Sequence, residues 1–111
     1  MINNIINPGP SDYYNPDFRI VFEDHLNYII NNEVSMISLQ SVSPNMAARY
    51  AGDWRGLMME MGVMPQMHWF NLRINGLNNS SDFDGSMQTV SVLNTKVVEK
   101  LMSSFKTRRK N

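Results

Sequence analysis

The chain has no cysteine. That excludes disulfides and thiolate metal sites, and it leaves the compartment open. Only two histidines are present, His25 and His68. Without cysteine they are too few for a typical zinc site. No run of about 18 apolar residues occurs, so no transmembrane helix is expected. The first ten residues are rich in Asn and Pro and lack the basic start and apolar stretch of a secretory signal. There is no Gly-rich phosphate loop, and Ser80 and Ser81 stand in a polar stretch without a nucleophile elbow. The carboxylate pairs Glu23/Asp24 and Asp82/Asp84 read as solvated faces or turn formers. Asp82/Asp84 lacks the Gly-bearing loop of spaced oxygen ligands that calcium requires. No catalytic residue, metal ligand or cofactor is assigned, and an enzyme is not expected.

What is present fits one domain of 111 residues. Methionine is abundant, at 10 residues, five of them from Met58 to Met67. Its flexible thioether fills irregular gaps and adapts to partner surfaces. Net charge is zero, but the ends differ. Asp12, Asp17, Glu23, Asp24 and Glu33 near the start face only Arg19. Lys96, Lys100, Lys106, Arg108, Arg109 and Lys110 near the end face only Glu99. The two ends are candidates to pair head to tail between subunits. The basic tail is too short to make more than a weak nucleic-acid site by itself, so nucleic acid is not an expected partner.

Residues 1–11 read as an extended arm, because Asn7-Pro8-Gly9-Pro10 cannot continue a helix. Asn15-Pro16-Asp17 is a helix start: a cap, a proline at the first position, an acid in the first turn. Phe18, Val21, Phe22, Leu26, Ile29 and Ile30 then recur at helical spacing. Residues 34–40 alternate as a strand would. Ser43-Pro44 opens a second helix, running to Met61, that Gly52-Asp53 divides in two with Asp53 as cap; Gly62 ends it. Residues 65–74 form the next segment, whose leading proline favours a helix over a strand, and Asn75-Gly76 turns the chain out of it. A polar loop, 78–85, precedes a second strand at 87–93. Asn94 caps a final helix with Val97, Val98, Leu101, Met102 and Phe105 as its apolar stripe. The expected core includes Phe18, Phe22, Leu26, Tyr50, Trp69, Leu72, Val90 and Val92.

The middle of the chain, in the order β-α-α-β, resembles the LysM fold. Ala47-Ala48-Arg49-Tyr50 matches its Ala-rich helix and Asn75-Gly76-Leu77 its turn after the second helix. It is more similar to the LysM-like baseplate wedge proteins of contractile-tailed bacteriophages. Their Pro-x-hydrophobic-Tyr/His-Trp-x-x-Leu-x-x-Asn segment is matched by Pro65, Met67, His68, Trp69, Leu72 and Asn75. The resemblance covers residues 17–93, and one departure from it is the insertion of 51–64. The expected fold class is therefore α+β: a LysM-like core within residues 12–94, with an added N-terminal helix and a C-terminal helix and basic tail at 95–111.

This resemblance implies a virion structural protein, made in the host cytoplasm and assembled with other virion proteins in a multimeric tail baseplate or neck. The expected partner contacts are Trp54, Arg55, Met58, Met59 and Met61 of the inserted segment, with Arg108 and Arg109 of the tail. Trp54 stands among charges and glycines, and Trp and Arg are favoured interface residues. The alternative is a LysM module that binds a glycan such as peptidoglycan, through the turn at Asn75-Gly76-Leu77 and the start of the second helix.

Overall fold

The computed structural model describes residues 10–32 and 34–109. Residues 1–9, Glu33, Lys110, Asn111 and the side chains of Pro10, Ser11, Val34, Arg108 and Arg109 lie outside this description, and with them most of the expected arm and the end of the basic tail. The chain is α+β. Among the described residues, five helices, α1 (Pro16–Asn32), α2 (Pro44–Arg49), α3 (Trp54–Glu60), α4 (His68–Ile74) and α5 (Thr95–Arg109), accompany two strands, β1 (Ile37–Ser41) and β2 (Thr89–Leu93). Single 3-10 turns at Pro10–Tyr14, Val34–Met36, Pro65–Met67 and Ser80–Asp82 make the connections.

The helix starts follow local chemistry. The Asp17 N–H donates to Asn15 Oδ1 at 2.8 Å, and the Lys96 N–H donates to Asn94 Oδ1 at 2.8 Å. Ser43 Oγ accepts from Met46, and Asp53 Oδ1 accepts from Gly56 at 3.0 Å. Each bond satisfies a donor that the first helical turn would leave without a partner. Gly62 and Gly76, both at φ +80°, end α3 and α4 in the left-handed conformation that suits glycine.

Helix α4 lies between two apolar clusters and joins them. In the first, Phe70 and Ile74 meet Phe18, Phe22 and Ile29 of α1 and Val97, Val98 and Met102 of α5. Phe22 and Phe70 pack edge to face with centroids 4.8 Å apart. In the second, Leu72 meets Trp54, Leu57 and Met58 of α3, together with Ala47, Phe83 and Val90. Trp69, only half-buried, touches both clusters. Leu26, Tyr50 and Val92 are also partly buried at the cluster margins.

Two expectations are corrected here. Residues 10 and 11, expected in the arm, belong to the 3-10 turn Pro10–Tyr14, which puts Tyr13 into the first cluster. The first strand begins at Ile37, not Val34: residues 34–36 coil into a 3-10 turn, whose sequence alternates as a strand does. Helix α5 carries its expected apolar stripe into the first cluster: Val97, Val98 and Met102 are buried there, with Leu101 and Phe105 packed against them. Within the chain, α1 packs on α5, and Lys106 Nζ of the basic end sits 3.2 Å from Asp12 Oδ2 of the acidic one.

The sheet has two antiparallel strands with the register Ile37↔Leu93 to Ser41↔Thr89. The Asn94 N–H donates to the Met36 carbonyl and the Val42 N–H to the Gln88 carbonyl, both at 2.8 Å. Those bonds put the even-numbered residues of β1 on its inner edge. Antiparallel alternation then turns the N–H and C=O groups of Ile37, Leu39 and Ser41 to the outer edge. On β2 the same alternation turns out residues 89, 91 and 93, and helix α4 meets two of them. Asn75 exchanges two bonds with the Ser91 backbone, each 2.8 Å, and Asn71 Oδ1 accepts from the Leu93 N–H at 2.7 Å. Asn71 is 1% exposed, and its Nδ2 donates to the Met67 carbonyl. Asn71→Ala would strand a buried amide donor, at a cost of about 2–3 kcal/mol. Urea denaturation is expected to show that loss as a lower midpoint with an unchanged slope.

Candidate functional site

Two surfaces stand out, an open strand edge and a cleft. The strand edge is the outer side of β1. Among the described residues no backbone group pairs with it, in contrast to the β2 edge that Asn71 and Asn75 close. Its sequence, Ile-Ser-Leu-Gln-Ser, carries no charge and no proline. Natural edge strands usually carry a lysine, a proline or a bulge that blocks further pairing; β1 carries none of these along its five residues. Leu39, at its centre, is 73% exposed.

The cleft has a volume of about 420 Å³. Its lining combines Tyr14, Arg19 and Trp69, the buried or nearly buried Trp54, His68 and Leu72, and Arg55 and Pro65 with Asn78, Asn79 and Ser80. The Arg19 guanidinium carbon lies 4.6 Å from the Trp69 centroid and 5.5 Å from that of Tyr14, within cation–π range. Arg19 Nε is buried with no hydrogen-bond partner. Burial lowers its pKa from the usual guanidinium value, yet arginine keeps its charge in proteins. An unpaired buried donor costs about 1–3 kcal/mol, a cost that a partner able to accept from it would relieve.

His68 is 5% exposed. Its Nε2 lies 2.8 Å from the Val63 carbonyl, which can only accept, so Nε2 carries the proton. Nδ1 is buried and has no partner. The backbone carbonyl of His68 accepts from Trp54 Nε1 at 3.0 Å. The Ser80 hydroxyl accepts from the Trp54 N–H at 2.9 Å. Arg73 fixes the adjoining loop: it forks onto both carboxylate oxygens of Glu23, at 2.5 and 3.0 Å, and donates to the Leu77 carbonyl and to Asn78 Oδ1. The Glu23 bonds raise the Arg73 pKa.

The expected contact residues separate. Arg55 and Met59 are exposed on the outer side of α3, Met59 by 62%, and Met61 is partly buried. Trp54 and Met58 are corrected: both are core residues, 1% and 0% exposed. Asp53 caps α3 so that its first residue turns inward, where the Trp54 ring meets Phe83 edge-on at 5.8 Å. The polar flanks that made Trp54 look exposed are Gly52 and the cap Asp53, which precede the helix, and Arg55, the exposed residue that follows Trp54. The placement of the Arg108 and Arg109 side chains lies outside the described residues. Sequence reasoning missed β1's open edge, Arg19, Tyr14 and the 78–80 loop. His25 Nδ1 faces the Val21 carbonyl one turn earlier at 2.9 Å, as a packed helix residue does.

Among the described residues, no group of three or more His, Asp or Glu side chains is placed to hold a metal, and no helix is long and apolar enough to cross a membrane. The chain is a small α+β protein whose exposed features are an uncharged strand edge and a cationic, aromatic-walled cleft. Comparison with protein-family models, with curated proteins and with solved structures finds no match to it.

Proposed function

We propose that this protein is a virion structural component, an assembly adaptor in a bacteriophage tail baseplate or neck, and that it works by strand addition. The observation that carries the reading is the asymmetry of the two-stranded sheet. One edge is closed by two buried or half-buried asparagines, and the other is open, uncharged and centred on an exposed leucine. An extended segment of a neighbouring structural protein adds to β1 as a third strand. Main-chain bonds to residues 37, 39 and 41 supply affinity, and Leu39 supplies an apolar contact. The occupant is an uncharged segment, because the edge offers no charge to pair.

The sequence resemblance to LysM-like baseplate wedge proteins supports the same reading, as does a sheet whose two strands are separated in the chain by helices. Glycan binding has less support. The face of Trp69 that a sugar would stack on carries the Arg19 guanidinium, and Trp54 is buried. The test is mass spectrometry of density-purified virions from cells infected with the phage that encodes the chain. The protein is expected in the particle at a fixed ratio to the other tail proteins. Its recovery only in the soluble lysate would overturn the reading.

A further inference from the structure

Among the described residues, two arginines, Arg19 and Arg55, line the cleft beside Trp69, and no carboxylate does. Arg19 is held between the rings of Tyr14 and Trp69, not by an acid. Acids near the cleft have other partners: Glu23 is taken by Arg73, Asp53 caps α3, and Asp82 accepts from the Asn78 and Asn79 N–H groups. Of these acids only Glu23 is paired with a cation, so what the lining itself offers an incoming group is the two guanidiniums.

His68 narrows the chemistry. With Nε2 donating to the Val63 carbonyl, Nδ1 is the ring nitrogen left to accept, buried and unpartnered. A fitting ligand brings two things: an anionic acceptor for the arginines and an N–H or O–H donor for Nδ1. A fully ionised inorganic anion offers only the first. A peptide carrying an acidic residue offers both, because a backbone N–H lies a few bonds from its carboxylate. Guanidinium groups pair with planar carboxylates through two parallel bonds. A volume of about 420 Å³ accommodates one acidic side chain with its flanking peptide units.

We propose that this cleft is a docking pocket for an Asp or Glu residue in an extended segment of a partner protein. The choice of a protein segment as occupant rests on the reading of the chain as an assembly adaptor. The pocket itself is separate from the strand edge, since no residue of β1 lines it.

The experiment is a titration of the 15N-labelled full chain with three probes, followed by amide shifts. The probes are Ac-Gly-Glu-Gly-NH2, its glutamine counterpart and inorganic phosphate. The glutamate peptide is expected to shift the amides of Asn78, Asn79 and Ser80, at least tenfold more tightly than the glutamine peptide. Arg55→Gln, at an exposed position, is expected to weaken the glutamate peptide several-fold with no change in the rest of the spectrum. Arg19→Lys, which keeps the charge and loses the fork, is expected to weaken it too. Equal binding of the two peptides would overturn the proposal. So would phosphate binding as tight as that of the glutamate peptide, indifference to both variants, or no shifts in the cleft. Any of these results leaves strand addition at β1 standing, because that surface is read by different amides.

Discussion

Trp54→Ala is expected to cost about 3–5 kcal/mol, the range for truncating a large buried aromatic side chain. The ring is enclosed among Leu57, Met58, Leu72 and Phe83, and the substitution also leaves the His68 carbonyl without its indole donor. Domains of this size have a total stability of roughly 5–15 kcal/mol, so the variant sits close to unfolding. Thermal denaturation followed by circular dichroism is expected to show a fall in Tm of roughly 15–25 °C. Trp54→Phe separates the two contributions: it keeps much of the packing and loses the N–H, for about 1–3 kcal/mol. Met59→Ala, on the exposed side of the same helix, is expected to stay within about 0.5 kcal/mol of the parent. If Trp54 were an interface anchor, the pattern would be reversed: Trp54→Ala would fold normally and fail only in assembly.

Leu39→Pro is expected to abolish assembly and leave the fold standing. The Leu39 N–H points to the outer edge and makes no ladder bond, as the register and the flanking bonds of Met36 and Val42 require. Proline at such a position is tolerated in an edge strand. It removes the central donor of the open edge and narrows the space for a neighbour. Side-chain loss costs little, because Leu39 is largely in water already. Stability is expected to change by about 1 kcal/mol or less, while incorporation into particles falls at least tenfold. Ser38→Pro is the positional control. Its N–H faces β2, so proline there breaks the ladder and is expected to destabilise the domain itself by about 3 kcal/mol. Leu39→Lys tests the same edge with the backbone intact, since charged edge residues oppose strand addition. Similar assembly by the parent, Leu39→Pro and Leu39→Lys chains would remove β1 from the interface.

The helices were legible where a capping residue precedes an apolar stripe. Asn15-Pro16 and Asn94 mark starts that the structure keeps, and Asn75-Gly76 marks the end of α4. The division of the middle helix at Gly52-Asp53 was legible for the same reason. Strand β1 was less so, because a two-stranded sheet leaves much of a strand in water and weakens the alternation that marks its ends. Trp54 was misjudged because polar neighbours in sequence do not fix which way the first residue of a helix turns. The closing of β2 by Asn71 and Asn75 was hidden: an asparagine between Phe70 and Leu72 reads as a flaw in the apolar pattern until the strand it bonds is in place. The cleft was illegible for a different reason. Tyr14 and Arg19, Trp69, and Asn78 to Ser80 come from separate segments, and no local spacing joins them.

The segment 51–64 thus has two roles. Its inner face supplies Trp54, Leu57 and Met58 to the second core cluster. Its outer face presents Arg55 to the cleft and Met59 to solvent. The first role fixes α3 against α4, and α4 in turn fixes β2 through its asparagines. The open edge of β1 follows from that chain of contacts, because β2 is the strand already closed.

Cryo-electron microscopy of the parent virion, at a resolution that traces backbone, tests strand addition most directly. The expected result is a third strand from a neighbouring protein, hydrogen-bonded to Ile37, Leu39 and Ser41, with β2 still closed by Asn71 and Asn75. A particle in which this protein is present and the outer edge of β1 faces solvent would contradict it.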